Sequence, residues 1–124
     1  IFDTRMEIRI NIDHILDDEN NRARIPEQYR DSPNLPMLFI GYALEYAKIR
    51  ITENYKAAVP QYFNGKLQFL IPISLGSPDV VDLSLAVGRD GDIYTGHTCL
   101  TLDMAYNNAR LIAKPESDWL VNGG

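Results

Sequence analysis

Lys56-Ala-Ala-Val-Pro-Gln-Tyr-Phe-Asn-Gly-Lys-Leu-Gln-Phe-Leu-Ile-Pro-Ile73 is the stretch whose reading decides the fold. Two strand-like runs, Lys56 to Phe63 and Lys66 to Ile73, flank Asn64-Gly65, residue types that accept the positive φ of a two-residue hairpin loop. In the second run Leu67, Phe69, Ile71 and Ile73 share one face, as a period of two requires. Pro60 lacks an N–H, so the first run is read as an edge strand or as bulged there. Downstream, Gly76-Ser-Pro-Asp79 is a turn. Val81, Leu83, Leu85 and Val87 then alternate with Asp82, Ser84 and Ala86. Arg89-Asp-Gly-Asp92 makes a second hairpin, and Ile93 to Leu100 is the last strand. The four runs form an antiparallel meander.

Upstream, Met6, Ile8 and Ile10 alternate with Arg5, Glu7 and Arg9, giving a half-buried N-terminal strand. Ile12 to Leu16 reads as a turn of helix, Asp17 to Asn21 as a polar loop, and Arg22 to Pro33 as irregular with at most a short helix at Glu27 to Arg30. Asn34 reads as an N-cap, with Pro36 tolerated in the first turn of a long helix that runs to about Asn54. Leu38, Phe39, Tyr42, Tyr46 and Ile49 are apolar at helical spacing, and Ile40, Ala43, Leu44, Ala47 and Ile51 cover the adjoining face. An ordinary surface helix carries one apolar stripe. This one needs a second cover, either a missing N-terminal region or a second subunit against helix 34–54. Thr101 caps a closing helix from Leu102 to about Ala113, which Pro115 ends. Trp119 is expected to fold back onto the body, and the tail after Leu120 to fray. Residues 1–124 thus read as one α+β domain: a four-stranded antiparallel meander plus an N-terminal strand, one long central helix and a closing C-terminal helix.

A chain of 124 residues can bury roughly two-thirds of its unfolded surface, enough for a core without staples. A single cysteine, Cys99, excludes an internal disulfide and favours a reducing, cytoplasmic compartment. No apolar run is long enough for a membrane span. The opening Ile1-Phe-Asp-Thr-Arg5 carries charge at once and lacks an initiator Met. It is read as the start of a piece of a longer chain rather than as a signal peptide. With 12 basic against 17 acidic residues and no basic run, bulk charge argues against strong non-specific nucleic-acid binding.

The closing helix is the most unusual stretch. Leu102, Ala105, Ala109 and Ile112 form a stripe for the sheet. Asp103, Tyr106, Asn107 and Arg110 stack on the other side at i, i+3, i+4 and i+7. Arg110 suits phosphate or carboxylate, Tyr106 and Asn107 could read a base or sugar, and Asp103 could act as a base. A merely solvated face would look the same. His14, in Asp13-His14, is a candidate acid/base, weighed against a satisfied structural histidine. Arg5 and Arg9 are candidate ligand contacts from the N-terminal strand. His97 and Cys99, two apart on a strand, share a face. They form no convincing thiol pair, and Cys99 reads as a small buried residue. Two distant histidines and one cysteine make no metal site, and Asp17 to Asn21 lacks the Gly and terminal Glu of a calcium loop. No cofactor motif is present. Tyr55, Gln61 and Tyr62 could form a stacking platform or simply pack.

Arg5-x-Glu-Ile-Arg-x-Asn-x-Asp-His-Ile-Leu16, Asn54-Tyr-Lys-x-Ala-Val-Pro-Gln-Tyr62 with Asn64-Gly65, and Leu100-Thr-Leu-Asp-Met-Ala-Tyr-Asn-Asn-Ala-Arg-Leu-Ile112 followed by Ser117-Asp-Trp-Leu120 resemble a bacterial family of unknown function. The resemblance covers nearly the whole chain. It implies a longer protein with more sequence ahead of Ile1, and neighbouring OST-HTH (LOTUS) or cold-shock-like modules of RNA-binding type. It supplies no catalytic residues. Two readings follow: an RNA-associated or nucleotide-binding domain using the closing-helix face, with His14 and Asp103 as acid/base, or a non-catalytic interaction or oligomerisation module using the central helix.

Overall fold

Period-two alternation builds the sheet, and helical spacing covers it. The computed structural model describes residues 2–30, 35–63, 65–77, 79–110 and 119–120, with backbone alone at 35–40 and 97. In chain order the elements are β1 (Glu7–Arg9), α1 (Ile12–Asp17), α2 (Glu19–Arg24), α3 (Glu27–Arg30) and α4 (Leu35–Glu53). A 3₁₀ turn (Tyr55–Ala57) follows, then β2 (Val59–Phe63), β3 (Lys66–Ile73), β4 (Leu83–Asp90), β5 (Ile93–Leu100) and α5 (Leu102–Ala109). The strands form one sheet in the order β1-β5-β4-β3-β2. β2 to β5 are an antiparallel meander, turned at Gly65 (φ 75°) and Gly91 (φ 62°). β1 pairs parallel to β5, so the sheet is mixed.

Several elements differ from the sequence reading. Lys56 to Ala58 is not strand, because Asn54 accepts a hydrogen bond from the Lys56 N–H and starts the 3₁₀ turn. The polar run at Asp17 to Asn21 is a helix start. The Asp18 carboxylate accepts from the Asn20 and Asn21 N–H groups and caps α2. Arg22 to Pro33 therefore holds the end of α2 and all of α3 among its described residues. Val81 precedes β4 and packs on the opposite face from Leu83. The N-cap expected at Asn34, the end of the closing helix beyond Arg110 and the tail after Leu120 lie outside the described residues.

Both faces of the sheet are covered. On one, Ile15, Ile25, Ala43, Ala47 and Ile51 from the helical layer pack against Phe69, Ile71, Ile73, Leu83, Leu85 and Val87. On the other, Ala105 and Ala109 of α5, with Trp119 and Leu120, pack against Val59, Leu70, Ala86 and Leu100. Trp119 does fold back: its indole N–H donates to the Ala57 carbonyl (2.7 Å).

One irregularity lets β5 serve both cores. Ala86 pairs with Thr98 but Gly88 pairs with Thr95, so Gly96 and His97 together oppose Val87. This β-bulge shifts the alternation by one residue. Tyr94 and Cys99 consequently enter the first core, and Leu100 enters the second. Thr95 and Cys99, an even number of residues apart, therefore lie on opposite faces of the sheet. Gly96 is required there, because a Cβ would collide with the Ala86 carbonyl oxygen.

The outer edge of β5 is closed in two pieces. β1 pairs with Ile93 to Thr95. Farther along, α2 takes over: the buried Asn21 accepts from the Cys99 N–H (2.9 Å) and donates to the Ile15 carbonyl (3.0 Å), while Arg24 donates to the Cys99 carbonyl (2.8 Å). At the other edge, the β2–β3 ladder runs unbroken through Pro60 and Phe69, so the donorless side of Pro60 faces outward.

Candidate functional site

α5 follows from its sequence. Thr101 caps it, its hydroxyl accepting from the Met104 N–H (3.3 Å). Ala105 and Ala109 are buried, and Leu102, Met104 and Tyr106 pack at the margin of the same core. Asp103, Asn107 and Arg110 are exposed, with no ion pair or side-chain hydrogen bond among the described residues. Tyr106 departs from the expected stripe. At 100° per residue it sits roughly 70° from the centre of the apolar face, close enough to be drawn into the core. Ile112, the last position of that face, lies outside the described residues.

The sheet separates the other candidates from α5. His14 is exposed on α1, in the layer over the first core, and its backbone N–H donates to the Asn11 carboxamide (3.1 Å). It therefore lies across the sheet from Asp103, and the two are not brought together. Arg5 and Arg9 sit at the far edge, whereas α5 packs on β2, β4 and β5. Arg5 grips Asp3 through two nitrogens (3.1 and 3.3 Å), which lowers the Asp3 carboxyl below its ordinary range and raises the Arg5 guanidinium. Arg9 donates to Glu7 (2.9 Å). Both pairs are solvated and weak.

A wide, shallow groove of about 520 Å³ is lined by Arg9, Ile10, Asn11, Ile12 and Asp13. It belongs to the turn from β1 into α1, away from α5. Its polar lining is already engaged in part, Arg9 with Glu7 and Asn11 in capping α1. Gln61 and Tyr62 do not share a surface: Gln61 is buried beside Gln68, to which its amide donates (3.0 Å), while Tyr62 is exposed on the opposite face. Among the described residues no group of three or more His, Cys, Asp or Glu side chains could hold a metal ion, and no helix is long and apolar enough to cross a membrane.

Cys99 is buried, and burial pushes its thiol up from 9.0 to about 11, against a smaller opposing pull from Arg24. Iodoacetamide at about pH 8 is expected to leave the native protein unmodified and to alkylate it only once unfolded, as mass spectrometry would show. Because the folded value is the higher one, the linked stability is complete below 9.0 and is lost as pH rises from 9.0 toward 11. A urea series across that window should reveal a loss on the order of 2 kcal/mol.

The feature that stands out lies on α4. Ala43, Leu44, Ala47 and Ile51 are buried, yet Tyr42, Tyr46 and Ile49 on the opposite side are 78%, 41% and 58% exposed. The over-apolar helix read from the sequence is real at these positions, and among the described residues its outer side has no cover. Leu38 and Phe39, which share the spacing, lie where no side chains are described.

A family model described as Domain of unknown function (DUF3825) matches residues 1–119. No curated protein and no solved structure matches the chain.

Proposed function

We propose that this chain, which belongs to the DUF3825 family, is a non-catalytic interaction module that docks a protein through the outer face of α4. The observation that carries the reading is the exposed run Tyr42, Tyr46 and Ile49 on a helix whose other side is already in the core. Aromatic residues presented together on one rigid helix face are the usual anchors of protein interfaces. The polar residues of α5 support the reading by contrast. They stand on a convex, solvated helix, whereas ligand sites are concave and converge their polar groups.

A second reading keeps one favourable observation. Asp103, Asn107 and Arg110 are accessible and uncommitted among the described residues, so a nucleotide or RNA end could meet them, with Tyr106 beside them. The RNA-binding modules implied by the family resemblance support this reading, and His14, Arg5 and Arg9 would then serve elsewhere on the surface. A thermal-shift series against nucleotides and short RNAs separates the two. A ligand at 100 times its dissociation constant would stabilise the fold by about 2.7 kcal/mol. No shift is expected. A shift that disappears in Arg110→Ala would decide for the second reading and against the first.

A further inference from the structure

Resting on the interaction reading, we infer that the partner docked on α4 is a second copy of this chain, with the two α4 helices side by side and parallel about a two-fold axis. Tyr42, Tyr46 and Ile49 follow one another at intervals of four and three, the spacing of a helix seam that meets another helix rather than a flat surface. The flanks of that seam carry opposite charges. Glu45 is exposed on one side, and Arg50 is half-buried on the other with no partner for its guanidinium among the described residues. The contact from Lys48 to Glu45, 3.4 Å on an open surface, leaves the carboxylate accessible.

A surface with one sign on each flank is self-complementary in one orientation only. Residues five apart across a seam face each other when the helices run parallel, so Glu45 of each copy meets Arg50 of the other, twice over. An antiparallel pair would instead set Glu45 near its own copy. Glu53, last in α4, falls at the end of the seam, where water reaches it. The sheets would lie on the outside of the pair, with the helical layers meeting in the middle. The three exposed side chains cover roughly 400 Å² per copy, about half of a standard interface. The dimer is accordingly weak and reversible.

Sedimentation velocity over a wide concentration range tests this. The wild-type chain should pass from monomer to dimer as concentration rises. Tyr42→Glu should abolish the dimer while leaving the circular dichroism spectrum unchanged, since Tyr42 is 78% exposed. Glu45→Arg and Arg50→Glu should each weaken association about three- to tenfold, and the two together should restore it. A chain that stays monomeric at its solubility limit would overturn the second-copy inference. So would a dimer indifferent to Tyr42→Glu, or a charge swap that fails to rescue. None of these outcomes touches the interaction reading, which falls only to a nucleotide or RNA shift lost in Arg110→Ala.

Discussion

Alanine at position 96 is expected to destabilise the domain by roughly 3 kcal/mol or more, a large effect for one methyl group. The cause is the bulge in β5. A Cβ on Gly96 would strike the Ala86 carbonyl oxygen and lie 3.0 Å from Val87 Cγ1. A side chain in the way can rotate, but a carbonyl in a ladder can move only if the ladder opens. Opening it would disturb both cores at once, because the residues beyond the bulge supply Cys99 to one and Leu100 to the other. Gly88→Ala is the internal control. There the new Cβ would meet only the Gln68 side chain, at 3.7 Å, and a cost below about 1 kcal/mol is expected. Urea unfolding followed by Trp119 fluorescence measures both. Equal midpoints for the two variants would refute this account of the bulge.

Replacing Asn21 with leucine should also be damaging, for a different reason. The carboxamide is a two-ended strut, taking the Cys99 N–H and giving a hydrogen to the Ile15 carbonyl, all buried. Leucine fills much the same volume but leaves the Cys99 N–H without its partner, while the Ile15 carbonyl keeps only the Asp18 N–H (3.3 Å). An orphaned buried group costs about 1–3 kcal/mol, so a loss of roughly that size is expected. Asn20→Ala, one residue away and exposed, should stay within about 0.5 kcal/mol of wild type. Hydrogen exchange gives a second readout. The Cys99 amide should exchange faster in Asn21→Leu than in Asn20→Ala, even under conditions where both proteins are folded.

The hairpins, the long helix and the closing helix were readable because each rests on a local signal: Gly65 and Gly91 in the loops, alternation in β3 and β4, and helical spacing in α4 and α5. What escaped depends on contacts distant in sequence. The alternation Thr95, His97, Cys99 looks regular on paper, and only the approach of Ala86 to Gly96 shows where it slips. β1 finds a parallel partner more than eighty residues away, which no local pattern records. Asp18 was visible as a polar residue, but its role as a cap depends on backbone turned toward it. The site divides in the same way. The exposed side of α4 and the polar side of α5 followed from periodicity, whereas the placement of His14 and Asp103 on opposite faces is a property of the whole sheet.

Among the described residues the two outer edges of that sheet, β1 and β2, bear on how copies of the chain can aggregate. β1 offers only three residues, two of them the charged Glu7 and Arg9, and β2 presents Pro60 outward. A strand from another molecule would find few donors to join, so fibre-like stacking along the hydrogen-bond direction is disfavoured. A helix seam used by both copies behaves in the opposite way: once two chains have met, the surface is spent. Pro60 on one edge and the proposed α4 seam would thus separate an assembly that ends at two from one that would grow without limit.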